Sequence, residues 1–175
     1  HGTTHGTTKG QTKGPPRAPT TGQPGDSNGT NTATPGAQQR GSQYRPLRPR
    51  EASAGPASTI AGHADNSRVT EAVAEPGKGR VLLVDGQGAL HRSLLGDRLA
   101  QLASDNGWAG VVVVGAIRDV EVIDAIDIGV QALGVCPVKT DKQGVGDRDI
   151  PLLLREVPVA PGDWLYADRN GVLLS

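Results

Sequence analysis

The sequence predicts an α/β domain behind an unstructured N-terminal tail, and three observations carry that prediction. The run Val111-Val112-Val113-Val114 is apolar and β-branched, as in a strand buried on both faces. A second strand-like run, Arg80–Asp85, is joined to it by a stretch with helical apolar spacing, which makes a βαβ unit whose two strands are parallel. Residues 1–50 hold one large aliphatic residue, Leu47, and one aromatic, Tyr44, among many Gly, Thr, Pro, Gln and Arg. Such a segment cannot offset an ordering entropy of roughly 1–2 kcal/mol per residue. The expected organisation is therefore a disordered tail over 1–50 and a folded domain over 51–175.

Order is expected from about Ser53, with a short strand at Ser58–Ala61. Asn66 or Ser67 can cap a helix over Ser67–Glu75, in which Val69, Ala72 and Val73 share a face, and Pro76-Gly77 ends it. Arg80–Asp85 is the first strand, and Gly86-Gln87-Gly88 makes the turn after it. Ser93–Asp105 reads as a helix because Leu95, Leu99 and Leu102 recur at i, i+4 and i+7, with Asn106-Gly107 as its stop. The chain is expected to turn at Gly115 after the valine strand. A helical stretch over Val120–Ile128, a strand at Ala132–Val135 and a polar loop over Pro137–Asp149 follow. Short strands around Ile150–Leu154, Glu156–Val159, Trp164–Tyr166 and Val172–Leu174, separated by turn residues, predict an antiparallel β-rich end.

The 175 residues carry 18 Lys+Arg and 18 Asp+Glu, but the balance is uneven along the chain. Residues 1–64 have seven Lys/Arg against two Asp/Glu, and residues 65–175 have eleven against sixteen. The basic residues of the tail are scattered without aromatic neighbours, so no specific nucleic-acid binding is expected. Cys136 is the single cysteine, which excludes an internal disulfide, and no apolar run approaches the roughly 18 residues of a membrane span. A cytoplasmic protein is the expectation. The sequence begins at His1 rather than methionine, and the domain is expected to be N-terminally incomplete.

Arg118 and Asp119 follow the valine strand, at the end where open α/β sheets bind ligands, and Asp97 lies early in the preceding helix. Two carboxylates with a guanidinium between them suit a hard cation such as Mg²⁺ or Mn²⁺, which takes oxygen ligands and keeps several waters. The ordinary alternative is helix caps and surface ion pairs. Zinc is not expected, because the histidines (His1, His5, His63 and His91) and Cys136 have no ligand spacing. Asp85-Gly86-Gln87-Gly88 would need a third glycine at His91 to make a dinucleotide turn, so nucleotide binding is not expected either. His91 reads as a solvated loop residue, Cys136 as a small apolar one, and Trp108 and Trp164 as packing residues.

Several runs together resemble one known family. Asp65-Asn66-Ser67-Arg68, GRVLLVDGQGALHRSLLGDRLAQLA, NGWAGVVVVGAIRDV, IDIGVQALGVCPVKT and PGDWLYADRNGVLLS occur in order from about Ser53 to Ser175. They resemble the RraA family, regulators of ribonuclease activity, which includes the class II 4-hydroxy-4-methyl-2-oxoglutarate aldolases. The resemblance implies a swivelling β/β/α sandwich and a homotrimer with sites at subunit boundaries. It implies that Gly96, Asp97, Arg98 and Leu99 line a substrate pocket, that Arg118 binds a 2-keto acid, and that Asp119 ligates a divalent cation. Retro-aldol cleavage and oxaloacetate decarboxylation both pass through a pyruvate enolate, which a Lewis acid stabilises without a Schiff-base lysine. Arg118 is suited to two parallel hydrogen bonds with a carboxylate, and Asp97 would orient the water that carries the proton.

Three departures stand out. The aldolase pattern has an acidic residue three positions after the Asp of Arg-Asp, where this chain has Val122, with Glu121 one residue early. The tail replaces segments that are folded in the family, and no extension beyond Ser175 is expected to lend a carboxylate to a neighbouring subunit. The implied function is a metal-dependent lyase for short 2-keto acids, and its alternative is a non-catalytic protein that binds a ribonuclease. A methyltransferase role finds no methyl-donor nucleotide site in the sequence.

Overall fold

β-Branched and leucine-rich runs become the strands of one large mixed sheet. The structure, a computed structural model, describes residues 38–40, 45–47 and 52–175. The elements in chain order are β1 (Gln38–Arg40), β2 (Arg45–Leu47), β3 (Ala52–Ala61), α1 (Ser67–Val73), β4 (Val81–Asp85), β5 (Ser93–Leu95), α2 (Asp97–Asp105), β6 (Gly110–Ile117), α3 (Val120–Ile123), β7 (Gly129–Val135), β8 (Asp147–Arg148), β9 (Leu152–Leu154), β10 (Val157–Val159), β11 (Trp164–Asp168) and β12 (Gly171–Leu174). The sheet order is β1-β12-β11-β3-β4-β6-β7-β2, with β5 added to β6 and β8 to β3, and β9–β10 form a separate hairpin. β3, β4, β6 and β7 are mutually parallel, whereas β1, β12, β11 and β2 pair antiparallel.

The ten-residue β3 joins two regions of the sheet by changing partners midway. Ala52–Pro56 pair with β11 and Ala57–Ala61 with β4. Pro56 stands at the change, where its lack of an N–H costs least. Gly55 packs so closely on the Gly79 carbonyl that a Cβ there would overlap it.

Strand alternation divides the core into two layers. Leu82 and Val84 of β4 and Val111 and Val113 of β6 pack with Val69, Ala72 and Val73 of α1 and Ala100 and Ala103 of α2. Val81, Leu83, Val112 and Val114 face the other way, onto Leu152, Leu154, Val159, Leu165 and Val172. The layering is β/β/α, and every residue of β6 is buried.

Four local expectations are corrected. Ser93–Leu95 is a strand, because Ser93 and Leu95 pair with Ala116 and Ile117 of β6 and the three residues are buried there; the helix starts only at Asp97. The chain does not turn at Gly115. β6 runs on to Ile117, with a register shift against β7 between Val113 and Ala116. α3 ends at Ile123 rather than Ile128, and Ile126 and Ile128 enter the core from a turn. The 137–149 loop contains β8, paired to β3. Two strands, β1 and β2, fall within the segment read as tail and pair with β12 and β7; the rest of residues 1–50 lies outside the described residues.

Leu83 is 1% exposed in the second layer. Leu83→Ala is expected to destabilise the domain by about 2–5 kcal/mol, the range for a buried leucine truncation, with the urea midpoint lowered and the m-value unchanged.

Candidate functional site

β6 can carry no polar side chain into the core, so its first charged residues stand just beyond its end. The Arg118 N–H donates to the Leu95 carbonyl (2.9 Å), which places the Arg-Asp pair beside the β5–α2 junction. Asp119 then takes a left-handed conformation (φ 56°, ψ 38°) as the residue preceding α3. Aspartate visits this region more readily than most non-glycine residues, through local hydrogen bonding of its short polar side chain.

Gly96 precedes α2 in an extended conformation and carries no capping side chain. A Cβ at Gly96 would lie 2.9 Å from both Arg118 Nε and Asp119 Oδ2, so glycine is what lets the two charged groups lie against the helix start. Arg118 Nε is 3.4 Å from Asp119 Oδ2, and the Asp97 N–H donates to the same oxygen at 3.4 Å. The Arg98 N–H donates to Asp97 Oδ1 at 2.8 Å. No hydrogen bond among the described residues engages the Nη groups of Arg118 or Oδ1 of Asp119.

A cavity of about 720 Å³ opens over this junction. Gly96, Asp97, Arg98, Leu99, Gln101, Leu102 and Asp105 line it from α2 and its start, Arg118 from the end of β6, and Val122 and Ile126 from α3 and the turn after it. Asn66 and Thr70 close one wall and Lys139, Thr140 and Lys142 another. The structure thus brings Gly96, Asp97, Arg98, Leu99 and Arg118 to one cavity, with Asp119 tied to Gly96 and Arg118 at its edge. Val122 lines the wall with an apolar side chain and is 53% exposed, while Glu121 is also exposed.

Asn66, Thr70 and the Lys139–Lys142 segment were not expected in the site. Their signal was the Asp65-Asn66-Ser67-Arg68 run, whose role is long-range. Asp65 is buried and accepts the N–H groups of Ser67 (2.7 Å), Gln143 (2.7 Å) and Val145 (3.2 Å). Arg68 donates from Nε to the Gly146 carbonyl and from Nη2 to the Gly144 carbonyl, both at 2.9 Å. The Gly144 N–H donates to Ser67 Oγ (3.1 Å). This run fastens the loop that carries Lys139 and Lys142. Burial raises the Asp65 carboxyl, but hydrogen bonds from the Ser67 side chain and backbone and from the Gln143 and Val145 amides outweigh it and hold the pKa at about 2.

His91 is exposed and lines a separate cavity with His63, Arg92 and Asp141. Trp108 packs in the core, with Arg80 over its ring at 4.7 Å, and Cys136 is a buried free thiol. Trp164, expected to pack, is 42% exposed on the outer face of β11, because strand alternation turns Leu165 rather than Trp164 to the core.

The RraA-like family (Aldolase/RraA) matches residues 30–174. The chain belongs to that family. An RraA-like relative from Ectopseudomonas mendocina, named "Putative 4-hydroxy-4-methyl-2-oxoglutarate aldolase", is 55% identical over 126 residues, covering 72% of this chain and 78% of the relative. The RraA-like structure described as the RNA-processing inhibitor RraA of Thermus thermophilis superposes with a TM-score of 0.78 at 41% identity, over 80% of this chain and 85% of that one. A Geobacillus kaustophilus structure described as an S-adenosylmethionine:2-dimethylmenaquinone methyltransferase gives 0.77 at 42% identity, over 79% and 86%. The match from residue 30 takes in β1 and β2, upstream of the resemblance read from Ser53.

The Asp65 carboxylate contributes stability that is fully present above its ordinary pKa of about 4 and is lost as the pH falls towards 2. Asp65→Asn is expected to remove this component of acid unfolding. At neutral pH it should cost about 1.5–3 kcal/mol, the contribution of hydrogen bonds to a charged group, with faster hydrogen exchange at the Gln143 and Val145 amides.

Proposed function

We propose that this protein is a lyase for short 2-keto acids that cleaves 4-hydroxy-4-methyl-2-oxoglutarate into two pyruvates, decarboxylates oxaloacetate, or does both. The observation that carries the reading is the approach of Arg118 and Asp119 to Gly96 at the start of α2, beside a cavity that Gly96, Asp97 and Arg118 line. The α2 N-terminus favours a carboxylate through its dipole. Arg118 turns Nε towards Asp119, which leaves its two Nη groups to grip that carboxylate in two parallel hydrogen bonds.

A divalent cation fits the donor chemistry at Asp119. No group of three or more His, Cys, Asp or Glu side chains able to hold a metal occurs among the described residues. A zinc cage is therefore not formed there, but Mg²⁺ or Mn²⁺ needs only one or two carboxylates and fills its remaining positions with water and substrate oxygens. Asp119 Oδ1 would supply the protein ligand. Such an ion, when bound, supplies positive charge to the enolate oxygen as the carbon–carbon bond breaks.

In the cleavage, the substrate C4 hydroxyl loses its proton, the C3–C4 bond breaks, and its electron pair becomes that of the pyruvate enolate. A proton delivered to C3 then gives the second pyruvate. Asp97, which lines the cavity, would orient the water that carries these protons. Arg118 holds the substrate still during both transfers.

A second reading has support from the Thermus thermophilis structure, described as an RNA-processing inhibitor, and from the exposed apolar Val122 at the cavity wall. On that reading the protein acts by binding a ribonuclease, as a homotrimer in the family's manner.

Pyruvate release from each substrate, with Mg²⁺ and with chelator, separates the two once spontaneous and free-metal decarboxylation are subtracted. Metal-dependent turnover that Asp119→Asn abolishes is the expected result; none from well-folded protein would sink the lyase. Arg118→Ala should lower kcat/KM by roughly 10- to 150-fold, since a hydrogen bond to a charged group contributes about 1.5–3 kcal/mol. Gly96→Ala is expected to leave the melting temperature within a few degrees, because only the Arg118 and Asp119 side chains and no backbone must move, yet to cut kcat at least tenfold.

A further inference from the structure

The outer side of β3, β11 and β12, remote in the sheet from β6, carries an uncharged aromatic strip. Trp164 and Tyr166 stand two positions apart on β11, 42% and 49% exposed, with ring centroids 6.1 Å apart and planes tilted by 54°. Tyr166 pairs with Ala54 and Leu173, and Trp164 pairs with Pro56, so these five residues share one side of the sheet. Leu165 and Ala167, between and beyond the two aromatic residues, turn the other way into the core. Contiguous exposed apolar side chains of this size mark interaction surfaces, and adjacent aromatic rings are the surface that receives proline-containing segments.

The sheet itself shows which segment arrives there. β1 is the strand beyond β12, and its register runs from Gln38 opposite Leu174 to Arg40 opposite Val172. The chain therefore enters β1 from the Ser175 end of β12. Ser175 in turn exchanges backbone hydrogen bonds with Trp164, at 2.9 and 3.1 Å. Residues 33–36, just upstream of β1, read Ala-Thr-Pro-Gly, and no charge occurs from residue 33 to residue 39. Pro35-Gly36 is a turn signal. Trp164 lies two strands from β1, about 9–10 Å across the sheet, and four extended residues reach at most about 14 Å. The segment has the length, the lack of charge and the turn residues to fold back over the strip.

We propose that Ala33–Gly36 covers the outer side of β11 and β12 and seats Pro35 on the Trp164–Tyr166 pair. Seated, it withdraws the aromatic strip from contact with a second copy of the chain. The proposal is independent of the reaction at Arg118.

Iodide quenching of tryptophan emission in the full chain tests it, because Trp108 is 3% exposed and Trp164 alone meets the quencher. Pro35→Asp would bring a carboxylate onto an apolar strip, which is costly without a partner. It is expected to raise the quenching constant at least twofold and to leave the melting temperature within a few degrees. A nitroxide on Thr34→Cys, where Cys136 is buried and protected from the label, should broaden the Trp164 indole N–H signal equally at every protein concentration. Equal quenching of Pro35→Asp and the unaltered protein would overturn the proposal, as would an unbroadened Trp164 signal. Protection of Trp164 that disappears on dilution would overturn it too, and would assign the strip to a second copy.

Discussion

Burial of β6 on both faces is the constraint from which the arrangement of the site follows. Eight consecutive residues, Gly110 to Ile117, lie between a helical layer and a second β layer, and none can carry a charge. Polar chemistry is therefore pushed to the strand's end, where Arg118 and Asp119 emerge together. β5 lies along that end and delivers Gly96 and α2 to it, so a backbone without a side chain meets two charged groups. The parallel strands β3, β4, β6 and β7 hold the end of β6 in place.

A second set of contacts makes the opposite wall. The loop after β7 is long, polar and rich in glycine, and α1 alone offers it little apolar surface. Asp65, Ser67 and Arg68 supply polar fastening instead, through two amides and two carbonyls of residues 143–146 together with the Gly144–Ser67 bond. Electrostatics of this kind lasts only while the carboxylate is ionised, which ties the shape of the cavity to a group well removed from Arg118. Nearby, Arg148 pairs with Glu75 through two contacts of 2.8 Å and joins β8 to the residues following α1.

Much of the fold was legible because its signals are local. The valine run, the leucines of α2 and the turn residues between β11 and β12 each report their own conformation through side-chain shape or backbone preference. Where expectation and structure part, the deciding contact is distant in sequence. Leu95 fits the helical spacing of Leu99 and Leu102, but pairing with Ile117 makes it a strand residue. Val120 and Ile123 continue towards Ile126 and Ile128 in a helical pattern, but the core takes the two isoleucines from a turn. Trp164 looked like packing material because tryptophan is large and apolar, whereas register with Pro56 sets which face it occupies.

The candidate site divides in the same way. Gly96, Asp97, Arg98, Leu99, Arg118 and Asp119 were readable from the sequence because they sit at element ends in a recognisable order. That order carries the family resemblance and the expectation of charge at a strand's carboxyl end. Tertiary structure alone decided that Gly96 lies against Arg118 and Asp119, that Asn66 and Thr140 are buried without partners, and that Lys139 and Lys142 share their cavity. The physical reason is range. Propensity and periodicity act over a few residues, whereas Gly96 is 22 positions from Arg118 and Asn66 is 74 from Thr140, and they meet only because β5, β6 and the 137–149 loop pack on one another.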